Sequence, residues 1–141
     1  MNDKLSAQEV LETKGVFVTT TVGVSMLPLF KNRRDRVVIR PIENRLKKYD
    51  VALYRRKDEL VLHRVIGVND GHYIIRGDNS FSKEIVYDEQ VLGVLSEFYR
   101  KDKHFSVDDK AYLAYSRLWN FIYPIRYLYV LLKSAAIKIL K

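Results

Sequence analysis

The sequence predicts a mainly β fold: a small antiparallel sheet, coiled or closed into a barrel, with a short helix before it and basic amphipathic helices after it. Three observations predict this. Runs rich in β-branched and aromatic residues recur at 16–22, 36–40, 51–55, 60–66, 73–76 and 91–99. Turn-forming pieces such as Lys31-Asn32-Arg33, Asn69-Asp70-Gly71 and Gly77-Asp78-Asn79 separate them. Beyond residue 107 the apolar spacing changes to that of a helix. Short strands at such intervals belong to small antiparallel sheets and barrels.

Taken in order, Ser6-Ala7-Gln8-Glu9 has the form of a capping box and Gly15 that of a helix stop, so a helix is expected over about residues 6–14. The strands follow. In the tail, Leu118, Ile122, Ile125, Tyr129, Leu132, Ala136 and Ile139 recur at helical intervals, with charge from Arg117, Arg126, Lys133, Lys138 and Lys141. Pro124 should break or kink that run. The expected division is a β domain over 1–106 and a helical tail over 107–141. The tail reads two ways: a helix packed on the sheet, or an in-plane helix on a membrane, for which Trp119 and its tyrosines suit the interface and its lysines suit anionic headgroups.

At 141 residues, with 48% apolar and 30% charged residues, the chain can bury one core. No cysteine is present, which excludes disulfides, zinc-thiolate sites and thiol catalysis. No segment has the form of a signal peptide or of a clear membrane span, so a cytoplasmic or peripherally membrane-associated protein is expected. The net charge of +8 is uneven. Residues 31–57 hold 11 basic and 3 acidic groups, residues 58–109 hold 6 and 11, and residues 110–141 hold 6 and none. Aromatic interleaving in the first basic block is thin, so nucleic acid is a disfavoured partner. His63, His72 and His104 have no metal-ligand spacing, and neither a metal nor another cofactor is expected.

Three segments carry chemistry. In Gly23-Val24-Ser25-Met26-Leu27-Pro28, Gly23 permits a bend and close approach of a substrate backbone, Pro28 stiffens the exit, and Ser25 is a candidate nucleophile. In Leu60-Val61-Leu62-His63-Arg64-Val65-Ile66, alternation puts His63 on the Val61/Val65 face and Arg64 on the other. A neutral imidazole there is a fitting base for a serine, although a lone histidine on an apolar strand face also reads as a core residue. In Arg76-Gly77-Asp78-Asn79-Ser80, Asp78 is either turn chemistry or the carboxylate that orients a histidine.

Together and in this order the segments resemble the type I signal peptidase family, which shares a superfamily with the phage-repressor-type self-cleaving peptidases. Gly23 to Phe30 is similar to the nucleophile box, Lys48-Tyr49-Asp50-Val51 to the G-D-V box with Tyr49 where glycine is usual, and Leu62-His63-Arg64-Val65-Ile66-Gly67 to the box that supplies the base. Arg76 to Ser80 resembles the G-D-N box, and Val91-Leu92-Gly93-Val94-Leu95 its closing strand. Histidine in place of the usual lysine looks like the endoplasmic-reticulum-type branch.

The resemblance implies a catalytic core of signal-peptidase type and a serine endopeptidase with Ser25 as nucleophile, His63 as base and Asp78 as the acidic partner. Glu84 is the rival for that last role, since it stands where the branch tends to place a second aspartate. The Ser25 N–H serves the oxyanion hole, and Gly23, Met26 and Pro28 form the substrate-facing loop. The implied substrate is an extended peptide or protein with small residues beside the cut, such as a leader or pro-peptide. Only about 20 residues precede the nucleophile box, which leads to the expectation of an enzyme without an N-terminal anchor and argues against a self-cleaving repressor. The alternative is a catalytically silent peptidase-fold module that binds nucleic acid or an anionic membrane through its basic segments. Residues 110–141 are the expected contact with an anionic membrane surface.

Overall fold

The structure, a computed structural model, describes residues 3–140, with side chains from Ala7 onward. The Ser6 side chain of the expected capping box, Met1, Asn2 and Lys141 lie outside the described residues. Helix α1 spans Asp3–Lys14, so it begins before Ser6 rather than at it. It ends where expected: Gly15 adopts φ 70° and its N–H bonds the Leu11 carbonyl at 3.0 Å, a left-handed stop that glycine tolerates without steric penalty. Among its described side chains, Ala7 and Leu11, one turn apart, are the buried ones.

The strands are β1 (Phe17–Thr20), β2 (Arg36–Arg40), β3 (Val51–Arg56), β4 (Glu59–Asn69), β5 (His72–Arg76), β6 (Glu84–Tyr87), β7 (Val91–Arg100) and β8 (Lys103–Ser106). They form one antiparallel sheet in the order β1-β2-β7-β3-β4-β5-β6, with β8 added on β7. Of the two forms expected, the sheet takes the open one: among the described residues no ladder joins β1 to β6. β6 and β8 were not expected. Both are four residues long and flanked by lysine and acidic residues, too short to display alternation.

The sheet buries apolar residues on both faces. Val51 and Leu53 of β3 join Leu11, Phe30, Ile39, Leu95 and Phe98 in one cluster, while Ala52 and Tyr54 join Val61, Val65, Ile75 and Val86 in the other. The β3–β4 register sets Tyr54 opposite Val61 and Ala52 opposite His63, so all four share a face, as alternation requires. Arg64 stands opposite Val51 on the other face.

The tail forms α2 (Lys110–Phe121) and α3 (Tyr123–Leu140), and the break falls at Ile122, directly before the Tyr123-Pro124 start of the second helix. A proline at the opening of a helix gives up an N–H that would have had no partner there. α2 is packed on the domain through Tyr112 and Ser116, whereas α3 has no buried residue. The expected packing of the tail on the sheet is thus met by α2, while α3 is largely exposed.

Candidate active site

Ser25 lies in the long connection between β1 and β2, and buried Asp35 fixes that connection. Its carboxylate accepts from the Lys31 N–H at 2.8 Å, the Lys101 N–H at 3.1 Å and Arg34 Nε at 2.6 Å. Burial opposes the Asp35 charge, but Arg34 and the two amides more than offset it and hold the carboxyl below its usual range. Within the loop Gly23, at φ 93°, donates its N–H to Asn32 Oδ1 at 2.7 Å. Met26 is buried and its sulfur accepts from the Asp78 N–H at 3.4 Å. Pro28 is exposed and stands outside the groove described below.

Two residues thirty-eight positions apart meet here: His63 Nε2 is 2.9 Å from Ser25 Oγ. The far side of the imidazole faces Tyr54, whose hydroxyl is 3.3 Å from Nδ1 and also donates to Glu84 Oε1. A phenol has one proton to donate. With that proton directed to Glu84, Tyr54 accepts from His63 Nδ1–H, which leaves Nε2 bare to accept from the Ser25 hydroxyl. The polarity of the whole chain, Ser25 to His63 to Tyr54 to Glu84, thus follows from the carboxylate at its end. Glu84 itself lies 3.8 Å from Nδ1 and is paired with Arg56 Nη1 at 3.1 Å.

Burial lowers the His63 pKa below its ordinary value near 6.5; Glu84 pulls it back up, Arg56 pushes it down, and Asp78 adds a smaller upward pull. The ring is therefore neutral at pH 7, the form a base needs. Tyr54 is fully buried, and burial together with Glu84 holds its phenol protonated, with the pKa raised.

Asp78, the acidic partner expected first, is turned away from this chain. Its two oxygens bond Arg64 Nε at 2.7 Å and Arg64 Nη2 at 2.9 Å, and Tyr115 donates to it at 2.6 Å. Arg64 is fully buried and also donates to the Tyr49 carbonyl at 2.7 Å and the Tyr112 hydroxyl at 3.1 Å. Burial works against the guanidinium charge, yet Asp78 and Tyr112 raise its pKa above the ordinary arginine value. The structure thus brings Ser25, His63 and Glu84 together and sets Asp78 in a separate, buried ion pair. Tyr49 supplies its carbonyl from φ 82°, the left-handed region that explains why glycine suits that position of the strand box.

Tyr54, Gly77 and Asn79 also belong to the site; the sequence marks Gly77 and Asn79 as turn residues of the Gly-Asp-Asn box and assigns Tyr54 nothing. A Cβ on Gly77 would lie 2.6 Å from the Ser25 carbonyl oxygen and 3.1 Å from His63 Nε2, so the absent side chain is what lets loop and ring come together. Asn79 ties the turn to the nucleophile loop, its N–H to the Ser25 carbonyl at 2.8 Å and its Nδ2 to the Val24 carbonyl at 3.1 Å. Period two along β3 was the available signal for Tyr54, since it shares a face with His63.

Ser25 and His63 open on a groove of about 820 Å³ lined by Phe17, Thr20, Gly23, Met26, Leu60 and Leu62, among others. Its two walls are strand edges. Among the described residues β1 pairs only with β2, and residues 59–63 of β4 pair only with β3. Each wall therefore offers unpaired backbone groups to an extended chain. Among the described residues the Ser25 N–H donates to no acceptor, and no group of side chains is arranged to hold a metal ion. No family model matches the sequence, and no curated protein matches it significantly.

Proposed function

We propose that the chain is a serine endopeptidase of the signal-peptidase kind that cuts a leader or pro-peptide after small residues. The observation that carries this reading is the 2.9 Å approach of Ser25 Oγ to a partly buried, neutral His63 whose other nitrogen is oriented through Tyr54 and Glu84. The substrate lies extended in the groove and adds its backbone to the free edges of β1 and β4. The preference for small residues beside the cut comes from the resemblance of the boxes at Ser25, His63 and Asp78.

In the reaction Ser25 Oγ attacks the scissile carbonyl carbon while its proton passes to His63 Nε2. The carbonyl oxygen becomes an oxyanion and accepts from the Ser25 N–H. His63 returns the proton to the departing amine, the C–N bond breaks, and an acyl-serine remains. Water then loses a proton to His63 and attacks the ester, and His63 returns that proton to Ser25 Oγ as the C–O bond breaks and the acid leaves. Glu84 favours the transient imidazolium through Tyr54, and burial keeps the resting ring uncharged.

The test is to find a peptide that the full chain cleaves, using a mixed peptide library read by mass spectrometry. Ser25→Ala and His63→Ala should each lower turnover by several orders of magnitude. Retained turnover in either variant would overturn the Ser25–His63 mechanism, and no cleavage by the folded wild-type chain would leave a binding module.

A further inference from the structure

Helix α3 has no buried residue along its 18 positions, and its side chains from residue 127 to 140 are all exposed. Most of them are apolar, and an isolated helix this short is marginal in water. Four of the exposed apolar residues share one side, while Val130, Leu131 and Ile137 are exposed elsewhere round the helix. At about 100° per residue, Ile125, Leu128, Leu132 and Ile139 fall within an arc of roughly 60°. They are 70%, 55%, 60% and 83% exposed. Phe121 and Leu118 at the end of α2 carry the exposed apolar surface back toward the domain. Lys133 and Lys138 stand about 110–120° to either side of the stripe, so a basic residue flanks each border. The opposite face holds the helix to the protein: Arg126 Nη1 donates to the Asp78 carbonyl at 3.0 Å, and the Tyr123 and Tyr127 rings lie against Phe81.

We propose that α3 lies in the plane of an anionic lipid surface, with the stripe from Phe121 to Ile139 in the acyl boundary and Lys133 and Lys138 reaching the headgroups. Charge decides the occupant. Residues 110–141 carry 6 basic and no acidic side chains, which fits anionic lipid. A second copy seated on the same stripe would bring lysine borders against lysine borders with no carboxylate between them. Spanning is not required of this helix, because no helix among the described residues is long and apolar enough to cross a membrane. Lysine stems run along the apolar stripe while their ammonium groups stay wet, as an in-plane helix needs. Because Arg126 and Trp119 both bond the Asp78 carbonyl, at 3.0 Å and 2.8 Å, docking holds the 77–79 turn at a fixed distance from the lipid.

The experiment is flotation of the full chain with vesicles containing about one-third phosphatidylglycerol, beside vesicles of phosphatidylcholine alone. The chain should float with the anionic vesicles, and at least tenfold less should float with the neutral ones. Lys133→Glu/Lys138→Glu and Leu128→Glu/Leu132→Glu should each cut the bound fraction at least tenfold with an unchanged far-UV spectrum. Sedimentation of the wild-type chain without vesicles should show no self-association. Absence of flotation, equal flotation of the lysine variant, or a dimer that Leu128→Glu/Leu132→Glu dissolves while vesicle binding is absent would each overturn the proposal. Peptide cleavage is not read in this experiment, so its outcome is separate from that of the peptidase reading.

Discussion

Gly77→Ala is the sharpest probe of the site, because it adds one methyl group at the point where three elements converge. The new Cβ would sit 2.6 Å from the Ser25 carbonyl oxygen and 3.1 Å from both His63 Nε2 and Cδ2. The first distance has to grow by about 0.8 Å before it becomes an ordinary contact. The oxygen cannot retreat freely, since the Asn79 N–H holds it at 2.8 Å. The imidazole cannot retreat freely either, with Tyr54 behind it. The strain therefore falls on the 2.9 Å Ser25–His63 approach. A misplacement of about 1 Å costs roughly 10²-fold in rate, so kcat/KM should drop between about tenfold and 10²-fold, roughly 1.4–2.7 kcal/mol. Gly77 is not among the glycines with positive φ, so backbone preference contributes nothing to the loss. The assay is kcat/KM on the library-selected peptide, with a thermal melt to normalise for folded protein. Gly71→Ala is the matched control: φ is 77° and the space is open, so it should cost about 1 kcal/mol of stability and leave turnover unchanged. Wild-type kcat/KM in Gly77→Ala would refute the close packing from which the mechanism is built.

Three further outcomes are expected. Glu84→Gln should lower kcat by about tenfold to 10²-fold at constant melting temperature, less than the roughly 10⁴-fold seen where a carboxylate bonds the imidazole directly, because Tyr54 stands between them here. Asp78→Asn should instead lower stability by about 3–5 kcal/mol in chemical denaturation, since it strips the charge partner from a fully buried Arg64. The kcat of the wild type should rise as pH climbs through a midpoint below 6.5, because the base acts deprotonated and burial depresses its pKa; in Glu84→Gln the midpoint should fall further, since the upward pull of the carboxylate is removed.

Much of the sheet was legible because period two is a direct consequence of the pleat. It placed His63 and Arg64 on opposite faces, and Arg64 indeed stands with Val51 while His63 stands with Ala52 and Tyr54. β6 and β8 were not legible, because four residues between charged flanks owe their pairing to neighbours rather than to local preference. The choice between carboxylates was also hidden in chain order. Asp78 lies two residues beyond the end of β5, yet the turn carries its side chain to the Arg64 side, while the return strand β6 sets Glu84 opposite Ile75, within reach of Tyr54. The signal that was present but unused is Arg64. An arginine on an apolar strand face must be buried with a counter-ion, and Asp78, assigned to His63 from the sequence, serves that arginine instead.

The two carboxylates divide the work according to what neutralises them. Asp78 is spent electrostatically: a fully buried guanidinium on both oxygens leaves little net field at His63, and accordingly its pull on the imidazole is the smallest of those acting. Its value lies in position. Its carbonyl accepts from Trp119 and Arg126, its N–H meets Met26, and the adjacent Asn79 holds the Ser25 backbone. Glu84 is a third exposed and shares its charge with Arg56, so it too acts on the imidazolium at a discount. A base held neutral mainly by burial needs only modest help once protonated. Strong help would lift its pKa above working pH and leave the ring charged at rest, unable to accept the serine proton. In the proposed mechanism the interposed Tyr54 and the Arg56-paired Glu84 supply help of that modest size.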